Sequence, residues 1–98
     1  MMPNHVLTLE AKKDLDEILF HIATDSLDAS IRVQFRFAEV FHILGENPAA
    51  GHWRPDLTSR PFRFFPVYSY LVVYLEEPRP VEIVRILSAT RDLNRLLE

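Results

Sequence analysis

A chain of 98 residues, 48% hydrophobic and 26% charged, has the make-up of a single folded domain spanning 1–98. The absence of cysteine excludes disulfides and thiolate chemistry, and a net charge of −3 disfavours direct nucleic-acid binding, which rests on cations neutralising phosphates. Lys12 and Lys13 are the only lysines among eleven cations; the others are arginines, which grip carboxylates and phosphates through paired hydrogen bonds.

The first residues contain no apolar stretch of signal-peptide length, and no run approaches the roughly 18 apolar residues of a membrane span. A cytoplasmic location without membrane contact is expected. His5 to Leu9 reads as a first strand. Thr8 then has the chemistry of an N-cap, with Glu10 in the first turn facing the positive end of the helix dipole. Ala11, Leu15, Ile18, Leu19 and Ile22 recur at helical spacing and predict an amphipathic helix over Leu9 to Thr24, with Lys12, Lys13, Asp16 and Glu17 on its other face. Lys13 and Glu17, four apart, are placed to pair.

Asp25 to Asp28 predicts a turn with a cap at its end, and a second helix follows over Ala29 to Gly45. Val33, Phe37, Val40, Phe41 and Leu44 form its stripe, while Ile31, Phe35, Ala38 and Ile43 widen it beyond one packing face. Helices joined this closely form an antiparallel hairpin, and the extra width implies a second contact, with the sheet or with a partner. Gly45 and Asn47-Pro48 end the helix. Ala49 to Arg60 shows no periodicity and reads as a long loop carrying Trp53, Arg54 and Asp56.

Pro61 to Val67 is strand-like, with Pro66 requiring a strand end or bulge. Tyr70 to Leu75 is apolar at every position and predicts a buried strand. Glu76 to Pro80 is a turn, Val81 to Leu87 the next strand, and Arg91 to Leu97 a closing helical turn capped by Thr90. The order β-α-α-β-β-β-α predicts an α+β domain with an antiparallel sheet packed against an N-terminal helical hairpin.

His5, His21, His42 and His52 show no metal-ligand spacing, although His21 and His42 sit on the two hairpin helices and stand to approach one another. With two glycines there is no phosphate loop, and Ser88 has no histidine near it in sequence. No metal or cofactor is expected. Arg63, Arg85 and Arg91 are the notable residues. Strand alternation points Arg63 away from Phe62 and Phe64, and places Arg85 on a face with Val81, Ile83 and Leu87. An arginine there needs an anionic or hydrogen-bonding partner: an internal acid such as Asp56 or Asp92, or an external phosphate or acidic segment. Tyr68, Tyr70 and Tyr74 read as core and rim residues.

Taken together, LTLEAKKDLDEI at Leu7 to Ile18, ENP at Glu46 to Pro48, GxxRPDL at Gly51 to Leu57, RxF at Arg63 to Phe65 and EIVRILSATRDL at Glu82 to Leu93 resemble the RelE/ParE superfamily of bacterial type II toxins. The likeness is greatest to its ParE-like branch and covers nearly the whole chain. It implies a growth-inhibiting toxin held in a hetero-oligomer with an antitoxin that wraps its surface. ParE-like members act on DNA gyrase; RelE-like members cleave mRNA on the ribosome with basic residues and a tyrosine or histidine near the last strand. Arg63 and Arg85 match the strand arginines of the cleaving members and would be catalytic only in a nuclease. Ser88 stands where their common ending has histidine, with no tyrosine near it in sequence, and Ala49 to Arg60 lacks their lysines.

RNA cleavage needs a base, an acid and cationic stabilisation of the transition state, and serine is a poor source of the first two. The expectation is therefore a gyrase-directed toxin that acts by binding and is not an enzyme, its alternatives an mRNA endonuclease or a non-toxic antitoxin-binding module. The candidate antitoxin- or target-binding residues are Arg54, Asp56, Arg63, Tyr70, Arg85 and Arg91, together with the apolar excess on the helices. Acidic and apolar antitoxin residues are expected to cover them.

Overall fold

The computed structural model describes residues 3–91 and 93–97. Its first strand, β1 (His5–Leu7), runs into helix α1 (Leu9–Asp25) through Thr8, whose extended backbone and side-chain oxygen, accepting from Ala11 N at 3.0 Å, make the expected N-cap. The Thr8 hydroxyl also donates to Val84 O at 2.7 Å, so the cap ties the helix start to the sheet.

Ser26 alone separates α1 from helix α2 (Leu27–Glu46). Its N–H closes α1 on Ile22 O while its hydroxyl accepts from Ala29 N, so one residue ends one helix and caps the next. The second helix thus begins two residues before the sequence placed it, and the cap is Ser26, not the end of a four-residue turn. Asn47 closes α2. Lys13 and Glu17 form no ion pair among the described residues.

Strands β2 (His52–Trp53), β3 (Arg63–Val67), β4 (Tyr70–Leu75) and β5 (Val81–Ser88) follow, then a short helix α3 (Leu93–Leu97). The sheet order is β1-β5-β4-β3-β2, antiparallel throughout except that β1 lies parallel to β5. The order of elements and the α+β architecture are those expected. The additions are β2, a two-residue strand inside the predicted loop, and the parallel β1. Pro66 lies inside β3, but β2 reaches only Arg63 and Phe64, so the missing N–H falls where no outer strand needs it. The two-residue β3–β4 turn puts exposed Tyr68 at φ 54°, the left-handed conformation such a tight hairpin demands.

Both faces of the sheet are covered, which explains why β4 is apolar at every position. Val72, Tyr74, Val81, Ile83 and Ile86 pack against Phe37, Val40, Phe41 and Leu44 of α2 and Ala11 of α1. On the other face Phe62, Phe64, Leu71, Val73 and Leu87 pack with Leu93 and Leu97 of α3. Phe37 is fully enclosed, and its replacement by alanine should cost about 3–5 kcal/mol. Thr90, expected to cap the last helix, instead shares a 2.9 Å hydrogen bond with the Ser88 hydroxyl, and α3 starts at Leu93.

Candidate functional site

An irregularity in the β4–β5 ladder builds the site. Val73 pairs with Arg85 and Tyr74 with Ile83, so Val84 is an extra residue in β5. Strict alternation would set Arg85 beside Val81, Ile83 and Leu87. The bulge splits that set: Ile86 joins Val81 and Ile83 on the helical side, while Leu87, which keeps its alternation with Arg85, turns to the opposite cluster. Arg85 is left facing α1, where Asp14 receives it. Arg85 Nε donates to Asp14 Oδ2 at 2.8 Å and Nη2 to Oδ1 at 3.0 Å. The same carboxylate accepts from Ile86 N at 2.9 Å.

Asp14 thus binds both the guanidinium and the bulged backbone. Its hydrogen bonds, then its charge and those of Glu10 and Glu17, hold Arg85 above the usual arginine range against the opposing effect of burial.

This pair forms one wall of a cleft of about 250 Å³ between α1 and the ends of β4 and β5. Asp14, Glu17, Ile18 and His21 line it from α1, Tyr70 from β4, and Arg85, Ile86, Leu87 and Ser88 from β5, with Arg91 and Leu96 at its margin. Tyr70 sits directly across the ladder from Ser88, so the absence of a neighbouring tyrosine inferred from sequence is corrected by strand pairing. Two carboxylates, Asp14 and Glu17, face two guanidinium groups, Arg85 and Arg91; the formal charges cancel. That balance suits a polar protein surface better than a polyanion.

Arg63 lies two strands away and serves a different structure. It points away from Phe62 and Phe64, as alternation requires. Its Nε donates to Glu76 Oε1 at 2.8 Å and its Nη1 to Gly51 O at 2.9 Å. The guanidinium lies 4.1 Å from the centroid of the Trp53 ring, a cation–π contact across the β2–β3 pair.

Buried Tyr74 completes this anchor. Its hydroxyl donates to Pro48 O at 2.8 Å and accepts from Gly51 N at 2.7 Å, and burial pushes its pKa up. Gly51 is required here, because a Cβ would stand 2.6 Å from Tyr74 Oη and 3.0 Å from Phe64 O. Arg54 and Asp56 pair with one another at 2.8–2.9 Å on the same loop, and those hydrogen bonds hold Asp56 below the usual carboxylate range.

Comparison with protein-family models matches the chain to the ParE toxin of the type II toxin-antitoxin system, parDE, over residues 6–93. The chain belongs to the ParE toxin family. No curated protein matches it by sequence. The match to the ParE family runs from β1 into the first residue of α3, so the Trp53–Arg63 anchor and every cleft residue named above except Leu96 lie within it.

Within this ParE-family fold the six residues singled out from sequence divide into two groups. Tyr70, Arg85 and Arg91 come together at the cleft. Arg54, Asp56 and Arg63 belong to the β2–β3 end of the sheet, so Arg54, Arg63 and Arg85 do not form one cluster. The internal partners also differ: Asp14 and Glu76 take the places suggested for Asp56 and Asp92, of which Asp92 lies outside the described residues. His21 and His42 do not meet. His42 bonds Asn4 and Glu46 near the far end of the hairpin, about 16 Å further from the Ser26 joint than His21 at the helical rise per residue.

Sequence reasoning missed Asp14, Glu17 and His21. Asp14 carried a usable signal: it lies three residues after Ala11 and four before Ile18, at the edge of the apolar stripe. An acid in that position needs a partner in the fold.

Proposed function

We propose that this ParE-family toxin inhibits DNA gyrase by binding it, without chemistry of its own, and that a cognate antitoxin neutralises it in a hetero-oligomer by covering the cleft. The observation that carries this reading is the Asp14–Arg85 pair. An arginine that stabilises a phosphorane must be free to receive it, and here the carboxylate already holds two of its donors. The cleft then offers Arg91, Tyr70 and Ser88 at its mouth, a mixed polar and apolar surface of the kind protein partners use. Arg91 is exposed, and an acidic antitoxin segment suits it. Gyrase and antitoxin both lie in the cytoplasm, which is the proposed location.

Purified protein added to a gyrase supercoiling assay should suppress supercoiling and raise gyrase-dependent DNA cleavage, and antitoxin should reverse both. Supercoiling and cleavage unchanged at large excess of toxin would end this reading. Replacing Arg91 with glutamate should weaken antitoxin binding without unfolding the chain; unchanged affinity would move the antitoxin elsewhere.

One observation favours a second reading, mRNA cleavage. Tyr70 opposite Ser88, with His21 in the same cleft, supplies proton-transfer groups that the sequence alone did not bring together. Mapping transcript ends after expression distinguishes the two. New cleavage sites in translated messages, lost on Tyr70→Phe and on Arg85→Ala, would select the nuclease.

A further inference from the structure

Strand β1 pairs only with Val81 to Ile83, so the rest of β5 presents an open edge to the space beside α1. The bond from Ala89 N to Ser69 O fixes which residues of β5 point there. Hydrogen-bonded pairs alternate along an antiparallel ladder, so Leu87 bonds across to Leu71 and Arg85 to Val73. Ile86 and Ser88 therefore turn their N–H and C=O groups away from β4, onto the open edge. Most groups on that edge have partners. Thr8 N donates to Ile83 O, and the Thr8 hydroxyl to Val84 O. Asp14 accepts from Ile86 N, and Arg91 N donates to Ser88 O at 3.2 Å. Two groups are left over: among the described residues nothing donates to Ile86 O and nothing accepts from Ser88 N. Enclosed main-chain groups nearly always find a partner, and Ile86 is only 2% exposed. The side chains of Ile86 and Leu87 are buried in opposite clusters, yet both residues line the cleft, so the cleft meets their main chain.

We propose that the cleft takes an extended segment of the antitoxin, paired parallel to β5 on the edge that β1 leaves open; this rests on the cleft being the antitoxin site. In a parallel ladder, one residue of the incoming strand donates to a carbonyl and accepts from the N–H two residues further on. Ile86 O and Ser88 N have that spacing, so a single residue opposite Leu87 satisfies both. An antiparallel segment would need both groups of Ile86 or both of Ser88, and Asp14 and Arg91 already hold one of each. For the same reason the pairing ends after one residue in either direction. Main-chain bonds of this kind give affinity, and the alternating side chains give selectivity. The central residue faces as Leu87 does, toward the α3 side, where Leu96 borders the cleft, and an apolar side chain fits there. Its two neighbours face as Ile86 does, toward α1. A nucleobase edge matches the same donor and acceptor, but the balanced charge of the cleft gives a phosphate backbone no attraction.

Solution NMR on the toxin–antitoxin complex, with the toxin labelled with nitrogen-15 and the antitoxin with carbon-13, tests this. Solvent exchange of the Ser88 amide should slow at least about tenfold in the complex. A scalar coupling across the hydrogen bond should join Ser88 N to one antitoxin carbonyl. Ser88→Pro removes that N–H without touching the ladder to β4, and should weaken antitoxin binding at least about tenfold. A Ser88 amide that exchanges equally fast in free toxin and complex overturns the proposal, whatever the variant does. Slowed exchange without the coupling would mean burial alone and overturns it too. If Tyr70 and Arg91 signals also stay unmoved, the antitoxin lies elsewhere and the cleft reading falls as well; if they move, only the strand pairing falls. Protection of Ser88 by single-stranded RNA, and not by antitoxin, would assign the edge to a base and refute the strand.

Discussion

Replacing Asp14 with alanine removes the acceptor of three hydrogen bonds at once. What remains is a guanidinium whose side chain is only 27% exposed, now without a counter-charge, and the N–H of buried Ile86 without an acceptor. Breaking a fully buried ion pair from one side costs about 3–5 kcal/mol; because part of Arg85 reaches water and can rehydrate, the lower end, about 3 kcal/mol, applies. Arg85→Ala is milder, about 2 kcal/mol, since Asp14 keeps the Ile86 N–H as a charge-assisted donor.

The double variant removes both charges and should cost little more than Asp14→Ala alone. The coupling energy in the cycle is then about 2 kcal/mol, well above the 0.5 kcal/mol scale of independent sites. The domain's stability is of the order of 5–15 kcal/mol, so all four proteins should fold, with Asp14→Ala melting roughly 12–24 °C below the parent. Urea unfolding followed by circular dichroism, on parent, both singles and the double, measures every corner. A coupling below about 0.5 kcal/mol would mean a solvent-averaged surface pair. Arg85 would then be free to accept a phosphate, and the case for binding over cleavage would lose its basis.

Three further outcomes follow from the same geometry. Gly51→Ala should cost about 1–3 kcal/mol, because its Cβ meets the Tyr74 ring and the Phe64 carbonyl, both fixed in the core. Gly45→Ala, which meets only the Asn4 side chain, is the control; equal stabilities in thermal melts would refute the Tyr74 anchor. Arg63→Gln removes the cation from the face of Trp53, the only tryptophan, so its emission and its quenching by iodide should both change in a chain that remains folded; an unaltered spectrum would deny the stacking.

The third outcome is pH dependence at His5, whose pKa is held below its ordinary value of 6.5, first by burial and then by the charge of His42. The unfolded chain therefore takes up this proton at higher pH than the folded one. The His5 contribution is fully present above pH 6.5 and is lost as pH falls below it. A His5→Gln variant should show a shallower loss of melting temperature between neutral and mildly acidic pH; an identical slope would contradict that sign.

Local physics made most of the fold legible. Thr8 announced the start of α1 because a hydroxyl before an apolar-periodic run satisfies the orphan N–H groups of a first turn. The unbroken apolar run of Tyr70 to Leu75 announced a central strand, and both of its faces are covered. β2 stayed hidden because a two-residue strand has no period to detect. Parallel pairing of β1 stayed hidden because register between distant segments leaves no local mark.

The site was half legible for a more specific reason. Residue type correctly marked Arg85 as needing an anion, but Asp14 is 71 positions away, and proximity in sequence favoured other acids. Alternation then grouped Arg85 wrongly with Val81 and Ile83, though rightly with Leu87, because one extra residue in β5 reverses the facing of everything beyond it. The bulge and the acid explain each other. Inserting Val84 exposes the Ile86 N–H toward α1, and Asp14 closes that N–H and the neighbouring guanidinium together. An acid at the edge of a helix stripe and an arginine within a strand pattern are thus two halves of one device. Either half alone reads as an anomaly; together they hold the cleft open with its charge already balanced.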